Sequence, residues 1–464
     1  MTELYSVING NIGYASDLDQ AVNWINDLVW VNVKYHGAVG DGVTNDDTPL
    51  TSAMSALPTT GGVLYFPPNC NCLTSTGLDF TSYTNAWILG GGWSSGMKLA
   101  NGANKYLIRN ATNPQTGMHI SGLRLDCNSA NQTAASGGIN GYKWRRGLID
   151  FVDIVNPWQA GIYLIGDVGD FGYQNRIDHC WISGGSNVTS GTNAWGQALH
   201  LENVDENCSI ANCHLENNGN FNDTTFGCHI YDKKGLSSFI GNSLVNGYIG
   251  FKLDGLQDRI IGNAFDGNGG CCVQCNGSAS GTIIEGNTIL NPGYRATGGS
   301  ANSVNAIYLA APRCQVIGNE FQSAAGSFPY TNSFVQIDTG ATDFVVGPNI
   351  YDIPTGSGTV TPVIFVSGRP ARGRLYQGGG FNAVSSAASF VIENHGTATI
   401  SASTSVVVNH GLSLTPTLEQ ISVTPQGSLS GASFWVSNAT STQFTINTSA
   451  SVTASFGWRA QVGF

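Results

Sequence analysis

Residues 259–265 read RIIGNAF, and variants of this unit recur along the middle of the chain. Each variant joins a short apolar run to a Gly or Ala, an Asn and a second strand-like run. The other copies are SIANCHL from 209, FIGNSLV from 239, IIEGNTI from 283, QVIGNEF from 315, VVGPNIY more loosely from 345, and RIDHCWI from 176, where His179 replaces the Asn. An imperfect repeat of about 21 to 32 residues predicts stacked supersecondary units that bury one continuous core.

The asparagines of these units predict how successive coils are joined. They are Asn212, Asn242, Asn263, Asn287 and Asn319. An Asn amide both donates and accepts, so each side chain can hydrogen-bond to the Asn one coil above and one coil below. Such a column satisfies polar groups at a buried bend. Strand-rich units with Asn at one recurring corner therefore predict a parallel β-helix.

A second recurring strand precedes each Asn unit and alternates apolar with polar residues. The copies are GIYLI from 161, ALHLE from 198, GCHIYD from 227, GFKLD from 250, CVQCN from 272, AIYLA from 306 and FVQID from 334. Because side chains alternate between the faces of a strand, the intervening residues are predicted to face solvent. One predicted outward column is Tyr163, His200, His229, Lys252, Gln274, Tyr308 and Gln336. The neighbouring column is Ile165, Glu202, Tyr231, Asp254, Asn276, Ala310 and Asp338.

Glu202 and Asp254 are the predicted catalytic residues, because they occupy one column two coils apart. Their backbones would lie roughly 10 Å apart. Leaning side chains can then bring the carboxyls into the window of roughly 6.5–9.5 Å that suits an inverting glycosidase. Such an enzyme needs one protonated carboxyl as general acid and one ionised carboxylate as general base, and Lys252 beside one of them would favour that division.

The residues predicted to bind the substrate surround this pair. They are Tyr163, His200, His229, Tyr231, Lys252 and Tyr308, of which the tyrosines offer flat faces to sugar rings. Asp150 and Asp153, also at strand spacing, form a second candidate pair. The alternative is that these columns form an ordinary solvated or trimer-contacting surface, since any exposed sheet carries polar residues.

A polysaccharide lyase on the same fold is the alternative reaction. β-Elimination from a uronate needs a base at C5 and neutralisation of the carboxylate, and the histidines, Tyr231 and Lys252 could supply base and acid. The acidic chain, with few arginines near this face, would repel a polyuronate, so hydrolysis is favoured. A receptor-binding tail fibre that holds a glycan without cutting it is the non-enzymatic alternative.

The composition narrows the function classes. A formal charge of −11 over 464 residues argues against nucleic acid or an anionic membrane surface as a partner. No apolar window is long enough to span a bilayer, and MTELYSVING predicts no signal peptide. The 11 cysteines lie mostly in apolar strand-like contexts and are predicted to be buried hydrophobes of a chain made in a reducing cytosol. Cys272 and Cys275 form one CxxC without a second, so neither a metal site nor a cofactor is predicted.

Residues 34–50, KYHGAVGDGVTNDDTPL, predict the start of a helix rather than a catalytic or metal site. Thr44 and Asp47 have the spacing of a capping pair, and Pro49 falls in the first turn, where its missing N–H costs nothing. Acidic residues at this end favour the helix dipole. The helix predicted at 48–57 would cover the first coil of the repeat.

Three stretches carry a resemblance to known proteins. Residues 31–50 with GGVLYFPP at 61–68 resemble the entry to the pectate-lyase-like right-handed β-helix proteins, which include many bacteriophage tailspikes and depolymerases. ASDLDQAVNWIND at 15–27 is similar to short helical segments that begin phage tail fibres. NHGLSLTPT at 409–417 and FWVSNATSTQFTINTSA at 434–450 resemble the small β-sandwich that ends many phage tail proteins.

The resemblance implies an all-β tailspike in five parts. These are an N-terminal helical attachment segment at 1–30, a β-helix entry with a capping helix at 31–115, a right-handed parallel β-helix at 116–355, a linker at 356–390 and a C-terminal antiparallel β-sandwich at 391–464 for trimerisation or glycan binding. It also implies a homotrimer in the tail of the virion. That homotrimer would bind and cleave a bacterial surface polysaccharide and join other phage tail proteins through its N-terminus.

Overall fold

The computed structural model describes residues 29–110, 112–185, 195–204, 207–219, 227–293, 304–322, 331–351, 361–365, 373–375, 393–412 and 415–462. The chain divides into two compact units, one ending at Lys234 and the other beginning at Gly235. The helix predicted near the N-terminus and most of the predicted linker at 356–390 lie outside the described residues. Among the described residues, the structure contains no helix with the length and apolar character of a membrane span.

The first unit begins with a strand, a 3-10 turn at Val33–His36 and an α-helix at Asp47–Ala56, close to the predicted helix at 48–57. The predicted capping pair is wrong, because Thr44 belongs to a strand and Asp46 is the N-cap residue. The Asp46 carboxylate instead accepts hydrogen bonds from the backbone N–H groups of Val39 and Gly40, at 2.7 and 3.0 Å. The acidic stretch therefore closes a turn, and its predicted structural role is confirmed.

Three parallel sheets form the rest of the first unit, and the chain visits them in the order A, B, C on most coils. Sheet A contains Trp30–Asn32, Gly62–Phe66, Ala86–Gly90, His119–Ser121, Leu148–Asp150, Arg176–Asp178 and Ser209–Ala211. Sheet B contains Asp41–Asn45, Asn71–Thr74, Gly96–Leu99, Arg124–Asp126, Asp153–Val155, Trp181–Ser183 and His214–Glu216. Sheet C contains Leu78–Asp79, Tyr106–Asn110, Gly137–Tyr142, Ala160–Ile165, Gln197–Glu202 and Cys228–Asp232. A short parallel pair joins Gln115–Thr116 to Trp144–Arg145, and Ser129–Asn131 is a 3-10 turn.

Stacked apolar columns form the core of this unit. Ile120, Ile149, Ile177 and Ile210 are register partners on successive strands of sheet A, and all four are buried. Burying one such side chain contributes about 1.5–3 kcal/mol. A slip of one residue would turn a whole strand's apolar set to solvent, so this core fixes which residues of each strand face outward.

The second unit repeats the three-sheet plan. Its first sheet contains Ser238–Ile240, Arg259–Ile261, Ile283–Glu285, Gln315–Ile317, Phe344–Val346 and Gly373–Leu375. Its second contains Ser243–Val245, Ala264–Asp266, Thr288–Leu290, Glu320–Gln322 and Ile350–Tyr351, and its third contains Ile249–Leu253, Val273–Cys275, Val304–Leu309, Thr331–Ile337 and Thr361–Phe365. All neighbouring strands within these sheets whose register is defined run parallel. The predicted parallel β-helix is confirmed.

A ladder of asparagine side chains runs through the second unit, as predicted. The Nδ2 atoms of Asn242, Asn263, Asn287 and Asn319 donate to the Oδ1 atom of the next ladder residue at 2.9, 3.0, 2.8 and 3.1 Å, ending at Asn349. All five residues are buried. The ladder therefore supplies partners for polar groups at a bend that water does not reach.

Asn212 was predicted to belong to this ladder, and that prediction is wrong. Asn212 is exposed and has a left-handed backbone with φ 54°, whereas Cys213 is the buried residue of the same turn. In the second unit the left-handed position is held by glycine, such as Gly241 before Asn242. The copy SIANCHL is thus offset by one residue from FIGNSLV, because Asn can occupy a left-handed turn nearly as readily as Gly.

The C-terminal residues form a four-stranded antiparallel sheet. Its strands are Glu393–Asn409, Ile421–Pro425, Phe434–Ser437 and Gln443–Gln461, with a 3-10 turn at Leu418–Gln420. The last strand pairs with the other three. The antiparallel character predicted for this region is confirmed.

All 11 cysteines are free, and ten of them are buried, as predicted.

Candidate functional site

The first two strands of the predicted columns are neighbours in sheet C of the first unit. Tyr163 pairs with His200, and Ile165 pairs with Glu202, in the predicted register. Glu202 is the last residue of its strand, and its side chain keeps 26% of its surface exposed. A carboxylate in this position is reachable from solvent and is also close enough to the sheet to be held by its neighbours.

Three side chains hold the Glu202 carboxylate. The hydroxyl of Tyr163 donates to Oε2 at 2.7 Å, the Nζ of Lys233 donates to Oε1 at 2.6 Å, and Nε2 of His200 lies 3.5 Å from Oε2. His200, Lys233 and Tyr163 together hold the pKa of Glu202 well below its usual range, and partial burial opposes them. The His200 contact is the longest of the three, so we expect Lys233 to contribute most. Glu202 is therefore ionised at neutral pH.

His200 lies beneath this carboxylate in an aromatic enclosure. Trp195 stacks on its ring with centroids 4.8 Å apart, and Tyr163 and Tyr231 meet the ring edge-on at 4.8 and 5.0 Å. Its Nδ1 is 2.8 Å from Oε1 of Gln197. Burial lowers the pKa of His200, which favours the neutral imidazole.

The prediction that the alternate side chains of these strands face solvent is wrong for four of them. They are His200, His229, Tyr231 and Lys252, which are buried. For His200 the reason is the enclosing aromatic rings. Period-two alternation identifies the face of a strand, but it does not show whether other residues cover that face. The substrate-binding roles of these residues remain predictions.

The register of the strand Cys228–Asp232 also differs from the prediction. His200 pairs with Tyr231, and Leu201 pairs with Asp232, whereas the sequence analysis aligned His200 with His229. A shift of two residues keeps the same side chains on each face, so the apolar pattern could not distinguish the two registers. The shift brings Lys233, which the sequence analysis missed, next to Glu202.

A second charged cluster lies on the same side of the first unit. Lys143 contacts both Asp167 and Asp170, at 2.8 and 2.7 Å, and Arg145 donates to Asp170 at 2.6 Å. The hydroxyl of Tyr142 donates to Asp167 at 2.7 Å. Lys143 holds the pKa of both aspartates below the usual range. Because Tyr142 pairs with Ile165, and Ile165 with Glu202, about 10 Å of sheet separates Tyr142 from Glu202.

The remaining predicted site residues lie in the second unit. Lys252, Gln274 and Tyr308 are register partners, as predicted. Asn276 donates to Oδ1 of Asp254 at 2.5 Å. Burial, with the hydrogen bond to Asp338, raises the pKa of Tyr308 to about 12. The predicted pairing of Asp254 with Glu202 remains a prediction.

The second candidate pair is held by basic side chains of the first unit. Asp150 lies 3.0 Å from Nε2 of His119, and Asp153 lies 3.4 Å from Nε of Arg124. Burial raises the pKa of Asp153. Each aspartate has its own cationic or imidazole partner, which suits a structural role.

Comparison with known proteins identifies the class of fold. No protein-family model matches the sequence, and no curated protein is similar to it. A mutant tailspike protein of E. coli bacteriophage HK620, in complex with a hexasaccharide, is 11% identical with a TM-score of 0.58 over 95% of this chain and 94% of that chain. The fold is that of the parallel β-helix proteins. The same phage's tailspike with a pentasaccharide is 10% identical with a TM-score of 0.56 over 95% of each chain.

The module of an epimerase also has this parallel β-helix fold. The A-module of a mannuronan C-5 epimerase from Azotobacter vinelandii is 16% identical, with a TM-score of 0.51 over 75% of this chain and all of that one. At these identities the likeness is one of fold. The resemblance to β-helix proteins found in the sequence is therefore confirmed at the level of structure.

Replacing Lys233 tests whether this cation lowers the pKa of Glu202. We expect Lys233→Met to raise the pKa of Glu202, because the ionised carboxylate loses a cation 2.6 Å away. The rate of the predicted polysaccharide cleavage should fall at low pH as Glu202 takes up a proton. In the variant, this acid limb of the pH–rate profile should move to higher pH. Lys234→Met is the matched control, since Nζ of Lys234 lies over the Phe171 ring at 4.6 Å. An acid limb that stays in place in Lys233→Met would assign it to another group.

Proposed function

We propose that this protein binds and cleaves a bacterial surface polysaccharide by acid/base glycoside hydrolysis, with Glu202 as the ionised catalytic carboxylate. The observation that carries the proposal is the Glu202 carboxylate itself. It is partly exposed on a parallel β-helix, and Tyr163 and Lys233 fix it at 2.7 and 2.6 Å. The tailspike of similar fold that was solved with oligosaccharides supports a glycan as the ligand.

The ionised state of Glu202 decides its role in that reaction. A carboxylate with a strongly lowered pKa cannot donate the proton that the leaving group needs, so Glu202 is not the general acid. The same lowered pKa makes Glu202 a weak base, so its proposed role is to orient the attacking water and to stabilise an oxocarbenium-like transition state with its charge. The general acid of the proposed reaction is a second carboxyl, for which the sequence analysis predicted Asp254. Tyr163, His200 and Lys233 position Glu202.

A lyase reaction is the second candidate, and one observation favours it. Lys143, Arg145 and Lys233 make the first unit more basic than the sequence analysis expected, and a uronate needs cations beside it. Each of the three already contacts a carboxylate of the protein, namely Asp170 for the first two and Glu202 for Lys233. Binding a uronate would require breaking these pairs. Hydrolysis of a substrate without a carboxylate at the cleaved sugar therefore remains the proposal.

The likeness to a phage tailspike supports a place for this protein in a phage tail. The proposed assembly is a homotrimer whose N-terminus joins other tail proteins and whose β-helix meets the host surface. A non-catalytic receptor-binding fibre is the alternative within the same assembly. It would retain the glycan without shortening it.

The products of the wild-type protein distinguish these functions. We expect incubation with purified bacterial surface polysaccharides to release new reducing ends, with no rise in the absorbance of unsaturated uronates. In water labelled with heavy oxygen, each new reducing end of a hydrolase product should carry one labelled atom. Unsaturated products would establish a lyase instead. Binding without either product, on the polysaccharide of a strain that the protein recognises, would establish an adhesin.

A further inference from the structure

A row of flat side chains lies at the turns between sheets A and B of the first unit. We call it the aromatic row, and it consists of Trp93, Phe151, His179, Trp181 and His214. None of the five belongs to sheet C, which carries Glu202. Trp93 and Phe151 are 50% and 52% exposed, which is unusual for side chains of this size. From the coil of Trp93 to the coil of His214 is four coil steps, or roughly 19 Å.

The rings contact one another in two groups, and one hydrogen bond joins the two groups. Trp181 meets Trp93 edge-on at 6.4 Å and lies 4.1 Å from His214. Phe151 stacks on His179 at 5.0 Å with 15° between the ring planes. The indole N–H of Trp93 donates to the backbone oxygen of Phe151 at 3.2 Å. The row is therefore one continuous surface rather than a set of isolated exposed residues.

The backbone turns these side chains outward at a cost. Phe151 has a left-handed φ of 52°, a conformation that disfavours bulky residues, and His179 has the same conformation with φ 51°. Strained residues that also expose a large ring mark candidate functional surfaces.

Polar groups beside the row hold its two imidazoles. His179 Nδ1 lies 2.8 Å from Asp178, which also accepts a hydrogen bond from Asn212 at 3.0 Å. His214 Nε2 lies 3.7 Å from Glu216. Arg176 pairs with Asp178, so cationic and anionic groups alternate at the edge of the row. The surroundings offer hydrogen-bond donors and acceptors without a field of one sign.

We propose that the aromatic row is a second carbohydrate-binding surface, which stacks on the apolar faces of neutral pyranose rings. The surface consists of flat rings only, whereas an interface with a second protein copy would also present Leu, Ile, Val or Met. One cation and two carboxylates lie beside the rings, and this small excess of negative charge favours a neutral glycan over a uronate polymer. This surface would hold a polysaccharide away from the Glu202 site, and the proposal does not depend on cleavage there.

Fluorine NMR on the full chain tests this proposal without knowledge of the natural glycan. The protein is labelled with 5-fluorotryptophan and titrated with methyl β-D-glucoside and methyl β-D-galactoside. Sorbitol at matched concentrations supplies hydroxyls without a flat apolar face. Trp435, 49% exposed in the C-terminal sheet, is the matched internal control for Trp93. Trp93→Phe and Trp181→Phe assign the two resonances.

We expect the Trp93 and Trp181 resonances to shift saturably with at least one pyranoside and not with sorbitol, while Trp435 does not shift. Phe151→Ala should weaken that binding roughly tenfold, by the size of one lost aromatic contact. Glu202→Gln should leave it unchanged, which separates this surface from the proposed catalytic site. Shifts no larger than those with sorbitol would overturn the proposal. The proposal would also be overturned if Trp181→Ala changed the oligomeric state while the pyranosides had no effect. That result would show that the aromatic row binds a second copy of the protein.

Discussion

Glu202→Gln is expected to lower the rate of polysaccharide cleavage by roughly a hundredfold to ten-thousandfold, the usual range for a catalytic acid or base. Gln has nearly the same volume and can still accept from Tyr163, so the local packing is kept. It carries no charge, however, and can neither take a proton from water nor stabilise a positive transition state. Lys233 also loses its anionic partner at 2.6 Å.

The measurement is the initial rate of reducing-end release, together with the affinity for the uncleaved polymer. Affinity should change little, because the loss concerns the transition state. Glu285→Gln is the matched control, since it neutralises an exposed carboxylate on another sheet. Thermal unfolding of both variants establishes that they are folded. A Glu202→Gln rate equal to that of Glu285→Gln would remove Glu202 from the reaction.

Asn287→Ala is expected to lower the free energy of unfolding by roughly 3–6 kcal/mol. Asn287 Nδ2 donates to Asn319 Oδ1 and to the Ile260 oxygen, at 2.8 and 2.9 Å. Its Oδ1 accepts from the backbone and side-chain amides of Asn263, at 2.8 and 3.0 Å. Alanine would take this partner from the Asn263 backbone N–H and the Ile260 oxygen, at about 1–3 kcal/mol for each group left unsatisfied. Asn263 Nδ2 and Asn319 Oδ1 would each lose one hydrogen bond and keep another, to the Phe239 oxygen and from the Asn287 N–H.

Denaturant unfolding measures the loss, and hydrogen exchange locates it. The backbone amide of Asn263, which donates to Asn287, should exchange faster in the variant. Asn212→Gly is the control, because it removes an Asn of the same repeat from an exposed, left-handed position outside the ladder. We expect a smaller loss there, about 1.5 kcal/mol at most, because only the hydrogen bond from Asn212 to Asp178 is removed and glycine suits the left-handed position. If both variants lost the same free energy of unfolding, an Asn in the ladder would contribute no more to stability than an Asn outside it.

The sequence predicted the fold well because the repeat carries physical information at every coil. The alternation of apolar residues fixed the inward faces, and the Asn at one corner predicted four of the ladder residues and, more loosely, Asn349. Asn212 shows the limit of this reasoning. A copy of the motif that is offset by one residue has the same letters, and only the backbone conformation separates a turn residue from a ladder residue.

The candidate site could be predicted only in part. Glu202 and Tyr163 lie together as expected, since both belong to strands whose register follows from the core. Lys233 was missed, because a two-residue shift leaves the alternation unchanged and long connections separate the strands. The burial of His200 could not be read from its own strand, since Trp195 precedes that strand and Tyr231 belongs to the next strand of sheet C.

Successive members of the asparagine ladder are separated by 21, 24, 32 and 30 positions, yet the hydrogen bonds between them stay within 2.8–3.1 Å. The ladder is thus insensitive to how many residues separate its members, and it tolerates loops of different length between the strands. Insertions and deletions in those loops should therefore be nearly neutral for folding. Ligand specificity can evolve by loop exchange while the scaffold is inherited unaltered.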